Sequence, residues 1–253
     1  MQQTTTIFNP NIILGENYQI HVIAIEDYTQ DFLEYMNAHF VSICEGESES
    51  DIIMVKQRAK SFFEKKSDSL KMGAIAEFII HLYLKERGYK QECTFFNLEE
   101  GSIKKGFDGY YSKKEEEWIM ESKSGKKDNN THWGKVKTAY DDLKEKFSGN
   151  VANNPWKNAY NHASHIDVGT DKNLRKKIKL LSDNFTQSIY PSLKDFNLIP
   201  SSTIFLNDIW EEQDVSKLKG KLEKQISTFE YKEIIIICIT KKSMSLFLDY
   251  LTS

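Results

Sequence analysis

Cysteine is scarce in this chain. Cys44, Cys93 and Cys238 stand far apart and none belongs to a CxxC pair. That spacing excludes a zinc ribbon, and an odd, sparse count suits a reducing compartment better than a disulfide-stapled secreted domain. Proline and glycine are few as well, 4 and 12 in 253 residues, so no flexible linker announces itself. Long hydrophobic runs are missing. The longest, residues 234–239, is far too short to span a bilayer. The opening MQQTTTIFNPNIILGENYQ has no basic segment followed by a long apolar run, which argues against a secretory signal. A soluble, cytoplasmic protein without membrane contact is the expectation. Positive charge is not in excess either: 34 Lys and Arg face 37 Asp and Glu, for a net charge of −3. A nucleic-acid coat protein is usually basic, whereas an enzyme that meets DNA through one cleft need not be.

What is present is enough apolar sequence to fold. Hydrophobic residues make up 40% of the chain and charged residues 28%, a globular composition. We expect one α/β domain over 1–253. Its parts are an N-terminal elaboration (1–68), a helix–strands–helix core (69–148) and a C-terminal region completing the sheet (149–253). Residues 11–25 carry two β-prone runs split by Gly15-Glu16-Asn17, a hairpin pattern. Helices are expected over 27–43, 52–65 and 69–87, the last apolar around most of its surface, with Gly88 as its stop. Three strands should follow: 89–97, 102–112 and, after a tight turn at Lys113-Lys114, 115–125. An amphipathic helix is expected over 132–147, a polar loop over 148–170 and a helix over 171–197. Strands over 202–210 and 230–240, with helices over 214–228 and 242–251, close the chain. The run IIIICI is apolar on both faces, as in a strand covered by helices on both sides.

The chemistry gathers at Gly106-Phe107-Asp108-Gly109 and Met120-Glu121-Ser122-Lys123. Asp108 and Glu121 are thirteen positions apart, enough for a strand, a tight turn and a return strand. An antiparallel hairpin then brings both carboxylates to one end of a sheet. Glu121 and Lys123 are two apart and share a strand face with Ile119, while Trp118, Met120 and Ser122 take the other. Paired carboxylates repel unless a cation lies between them. A hard ion such as Mg2+ or Mn2+, held by Asp108, Glu121 and the Ser122 carbonyl, suits phosphodiester hydrolysis. A neighbouring lysine neutralises phosphate oxygens or orients the attacking water. Alternating charges on a strand are more often a solvated face. The predicted hairpin, the apolar run before Glu121 and the glycines flanking Asp108 favour the metal site.

Glu77 is a fourth candidate ligand, because it interrupts an apolar helix where a lone carboxylate is costly. The competing reading pairs it with Lys85 or Arg87 on an exposed stripe. His81 shares its stripe and reads as a satisfied structural histidine. Lys104, Lys105, Lys126, Lys127, His132, Lys135 and Lys137 form a basic surround suited to a phosphate backbone. Trp133 and Trp156 are candidates for base stacking, although buried aromatics are commoner. The basic run 172–179 reads as a solvated helix face.

The stretch GAIAEFIIHLYLKERGYKQECTFFNLEEGSIKKGFDGYYSKKEEEWIMESKSG (73–125) resembles the HamA-type effector nucleases of Hachiman antiphage defence systems. More broadly it resembles a restriction-endonuclease-like core of the PD-(D/E)xK class, a mixed sheet flanked by helices. The resemblance implies that Glu77, Asp108 and Glu121 are metal ligands and that Lys123 is the catalytic lysine. It covers about a fifth of the chain and departs from the usual motif at Phe107, where proline is common. It also implies DNA as substrate and a superfamily 2 helicase, HamB, as partner. The chain itself contains no Walker-type loop, so ATP dependence would come from that partner. Two other classes stay open: a catalytically inactive module of the same fold, and a metal-dependent hydrolase of another substrate.

Overall fold

The structure, a computed structural model, describes residues 6–96 and 106–252. It begins with a hairpin, β1 (Asn11–Leu14) and β2 (Tyr18–Ile25), as the Gly15-Glu16-Asn17 break predicts. Three helices follow: α1 (Gln30–Glu45), α2 (Ile52–Glu64) and α3 (Asp68–Glu86). Side-chain oxygens of Thr29 and Asp51 cap α1 and α2 by accepting from free N–H groups of the first turn. Gly88, at φ +76°, ends α3; its N–H donates to the Lys85 carbonyl and that of Tyr89 to Leu84. Then come β3 (Lys90–Gln91), β4 (Gly109–Lys113), β5 (Glu116–Lys126) and α4 (His132–Phe147). The chain continues through α5 (Pro155–Ala163), α6 (Lys172–Thr186) and β6 (Asn197–Phe205). It closes with α7 (Val215–Ile226), β7 (Glu233–Lys241) and α8 (Ser245–Tyr250).

Among the described residues the strands form one sheet in the order β1-β2-β7-β6-β5-β4-β3. β2, β7, β6 and β5 run parallel to one another, and both edges turn antiparallel. Side-chain alternation divides the core. Trp118, Met120, Ile199, Ile235 and Ile237 face α1, α3 and α8. Ile119, Leu198, Ile234, Ile236 and Cys238 face α4, α5 and α7. Strand β7 is therefore buried on both faces, as IIIICI predicts. No helix among the described residues is long and apolar enough to cross a membrane.

Several boundaries differ from the sequence expectation. Among the described residues of 89–97, Lys90 and Gln91 form the strand; the Glu92 N–H still donates to the Tyr110 carbonyl, and Phe95 and Phe96 then turn their N–H groups to carbonyls at the end of α1. Among the described residues the next strand starts at Gly109, with 106–108 outside it; the expected start at 102 lies outside the described residues. The β4–β5 turn is Lys114-Glu115, both at positive φ, one residue later than expected. That conformation matches the twist of a two-residue hairpin. The predicted loop 148–170 contains α5, where Asn154 caps the helix and Pro155 occupies its first turn. Residues that usually punctuate loops start a helix here. Helix α6 stops at Thr186 and does not reach 197. Strand β6 starts five residues before the expected 202 and runs through Pro200. Its ladder to β7 skips Ile199 and Pro200, while its ladder to β5 is continuous. The missing proline N–H is thus accommodated on the β7 side.

Candidate active site at the β4–β5 hairpin

Asp108 stands one step beyond the last β4–β5 pair, Gly109↔Met120, and so faces Glu121 across the hairpin. Its Oδ2 accepts the N–H of Ser122 at 2.8 Å. In an extended strand the N–H and C=O of one residue point to the same side. The Ser122 carbonyl therefore opens toward Asp108, where β4 has ended, and away from β6. Gly109 is required locally. A Cβ there would meet the Tyr111 ring at 2.6 Å. This close approach is to a side chain of the same strand, not to a ligand.

Glu121 is only 2% exposed. Lys123 donates to its Oε1 at 3.1 Å, and Lys146, reaching down from α4, donates to the other carboxylate oxygen. Lys123 also pairs with Asp142 of α4 at 2.5 Å. The shared face of Ile119, Glu121 and Lys123 is the one that α4 covers, as strand alternation predicts.

The electrostatics follow from this crowding. The Asp108 carboxyl keeps some solvent contact, but protein surrounds it closely enough that desolvation is the first cause raising its pKa. The negative charges of Glu121 and Glu77 raise it further, to about 7, against the pull of Lys146 and Lys123. For Lys123, burial works to lower the pKa. The charges of Glu121 and Asp108 and the hydrogen bond to Asp142 outweigh it and hold the ammonium well above the usual lysine range.

Glu77 approaches from α3, on the opposite face of the sheet, and is 6% exposed. Its carboxylate lies 3.4 Å from His81 Nε2, and His81 Nδ1 meets the Tyr111 hydroxyl at 2.5 Å. The alternative pairing with Lys85 or Arg87 does not occur among the described residues. Glu77 acts on Asp108 through its charge. Among the described residues, however, no three His, Cys, Asp or Glu side chains gather closely enough to hold a metal ion. The donors that do fit a hard cation are the two carboxylates of Asp108 and Glu121 and the Ser122 carbonyl, all oxygen.

The predicted basic surround is brought together only in part. Lys126 and Lys127 are exposed at the end of β5, where Lys127 pairs with Glu211. Lys135 is half-buried near Gly125, and burial and the charge of Lys123 lower its pKa. Lys137 pairs with Asp141 at 2.6 Å on another side of α4. Lys104 and Lys105 lie outside the described residues. His132 does not fit the surface role expected of it. It is buried, bridging Ser202 of β6 at 2.9 Å and Thr240 of β7 at 3.0 Å. Burial lowers its pKa to about 3, so it brings no positive charge to a phosphate. Trp156 is fully buried against Phe107, Phe147 and Phe196 and cannot stack on a base. The run 172–179 is a solvated face, with Lys177 and Lys179 in surface ion pairs.

Asp142 and Lys146 escaped the sequence reading. The signal was their i, i+4 spacing on the helix that follows the ExK strand, facing the sheet end where Lys123 emerges. No protein-family model matches the chain, and no curated protein is recognisably similar to it.

Proposed function

We propose that this chain is a divalent-cation-dependent nuclease of the PD-(D/E)xK class that hydrolyses DNA phosphodiester bonds. The observation that carries the reading is the meeting of Asp108, Glu121 and Lys123 at one end of the β4–β5 hairpin. The element order supports it: a helix carrying Glu77, three antiparallel strands and a helical crossover to a parallel strand, α3-β3-β4-β5-α4-α5-α6-β6, match the order expected of a restriction-endonuclease-like core, with α5 and α6 as additions to the crossover.

In this reading Asp108, Glu121 and the Ser122 carbonyl hold Mg2+ or Mn2+, which supplies an acidified water and offsets charge on the phosphate. Asp108 must be ionised to bind it, so its raised pKa makes loading favour neutral to alkaline pH. Lys123 lies between Glu121 and Asp142 with its charge secured, placed to neutralise a phosphate oxygen or orient the nucleophile. Lys146 adds a second positive charge at Glu121. Glu77 tunes Asp108 from the other face. The resemblance to HamA-type nucleases further suggests an effector subunit of an antiphage complex with a helicase partner.

One observation favours a second reading, an inactive module of the same fold. The two ammonium groups on Glu121 compensate its charge within the protein itself. Magnesium titration calorimetry, with cleavage of plasmid, linear and single-stranded DNA, separates the two. The nuclease binds magnesium, loses binding in Asp108→Asn and cuts only when metal is supplied. No binding heat and no cleavage in magnesium or manganese would overturn the proposal.

A further inference from the structure

On the opposite side of α4 from Asp142 and Lys146, a groove of about 440 Å3 runs between α4 and α7. Its α4 wall is a helical stripe, Trp133, Lys137, Tyr140 and Lys144, at i, i+4, i+7 and i+11. Its α7 wall adds Lys221 and Lys224, and Phe229 closes the end. Tyr140 and Phe229 stack in parallel, with ring centroids 3.8 Å apart and planes 6° from parallel. The Tyr140 hydroxyl, which accepts the N–H of Glu230 at 2.7 Å, fixes that pair in place. Four lysines line the groove against one acid, Asp141, and that acid is taken by Lys137. Lys144, Lys221 and Lys224 form no ion pair among the described residues. The Oε1 of Gln225, also on the lining, is buried with no hydrogen-bond partner among the described residues.

This local surplus of positive charge sits on a chain whose net charge is −3. Rigid aromatic rings interleaved with unpaired lysines, beside an unused polar group, form a stacking platform inside a cationic trough. We infer that the α4–α7 groove binds single-stranded nucleic acid, a base packing against Phe229 or Trp133 while Lys144, Lys221 and Lys224 follow the phosphates. An acidic peptide would match the charge but would leave the rings without flat partners. The inference takes its substrate class from the proposed function, yet it needs no cleavage. The groove becomes the path of a strand that passes around α4 to or from the hairpin site.

The test measures binding in EDTA, which silences any metal-dependent cutting. The probe is a fluorescein-labelled oligothymidylate of about 15 nucleotides, followed by anisotropy across a salt series. Lys221→Glu/Lys224→Glu is expected to weaken binding about tenfold or more and to lower the log–log salt slope by roughly 1.4. Lys172→Glu/Lys176→Glu changes net charge equally on an exposed face of α6 and should stay within about twofold of wild type. Phe229→Leu keeps apolar bulk without the ring and should cost about fivefold or more. Circular-dichroism melts confirm that each variant is folded. Equal loss in both lysine pairs would reduce the effect to net charge and overturn the inference. So would wild-type binding by the Lys221/Lys224 variant, or a polyglutamate peptide binding as tightly as the oligonucleotide. If those results came with intact metal-dependent plasmid cleavage, the groove assignment would fail and the nuclease reading would stand.

Discussion

Two titratable groups shifted by desolvation, Asp108 and Lys241, each give stability a testable pH dependence. In metal-free buffer Asp108 has a folded pKa near 7 against an ordinary value of 3.8. Between those values the folded state keeps a proton on this carboxyl that the unfolded chain has released, so the contribution of Asp108 to stability falls as pH rises through that window. Asp108→Asn removes the cost. It should be more stable than wild type above pH 7, by at most about 4 kcal/mol, with the gain gone below about pH 4. Urea melts at pH 4 and pH 8 check this. Lys241, at the end of β7, is wholly buried, and its Nζ has no hydrogen-bond partner among the described residues. It lies 4.2 Å from the centre of the Tyr28 ring, which offsets part of the burial cost. Burial lowers its pKa from 10.5 to about 7. Here the unfolded chain holds the extra proton between the two values, so the contribution of Lys241 to stability rises with pH from 7 to 10.5. Lys241→Met should therefore stabilise by roughly 1–4 kcal/mol at pH 6 and by progressively less toward pH 10.5. A variant no more stable than wild type at pH 6 would mean that the ammonium finds compensation elsewhere.

Elements with strong periodicity and clear caps were legible in the sequence. Helix α4 occupies the expected 132–147, with the Thr131 hydroxyl accepting from Gly134, and α3 ends at Gly88. The hairpin was legible too, because Asp108, Glu121 and Lys123 are joined by one short connection and strand alternation fixes their faces. What long-range packing decides was not legible. Strand β3 is short because, beyond Glu92, the chain turns away and Phe95 and Phe96 give their N–H groups to the end of α1. Strand β6 runs through a proline because only one of its two ladders needs that N–H. Lys146 and Asp142 reach the site only through the docking of α4 on β5. Helix α5 was hidden by its Asn154-Pro155 start, and its anchor is Trp156, whose indole N–H is buried without a partner among the described residues. Trp156→Ala should cost about 3–5 kcal/mol. Trp156→Phe should cost less than about 1.5 kcal/mol, since it keeps the aromatic packing and removes an unsatisfied donor. Thermal denaturation of both variants checks the contrast, and equal losses would contradict it.

At the scale of the whole molecule, one sheet covered by helices on both faces brings a carboxylate–lysine cluster to the β4–β5 end and leaves a cationic groove behind α4. The fold class follows from the alternation of apolar strands and amphipathic helices. The partner does not. The helicase proposal rests on resemblance, and exposed Ile53 and Met54 on α2 are apolar residues that a partner surface in the N-terminal part would cover. Copurification from the native host should recover a second, ATP-hydrolysing subunit. A chain that elutes alone and cuts DNA at full rate without partner or ATP would remove that proposal while leaving the chemistry intact. The central claim is that Lys123 serves phosphodiester cleavage and not folding. It is tested most directly by initial cleavage rates on DNA in magnesium for wild type and Lys123→Ala, with melting temperatures measured on the same preparations. The account predicts that wild type cuts, that EDTA abolishes cutting, and that Lys123→Ala is slower by roughly a hundredfold or more while melting near the wild-type temperature. A Lys123→Ala protein that cuts DNA at the wild-type rate would contradict it.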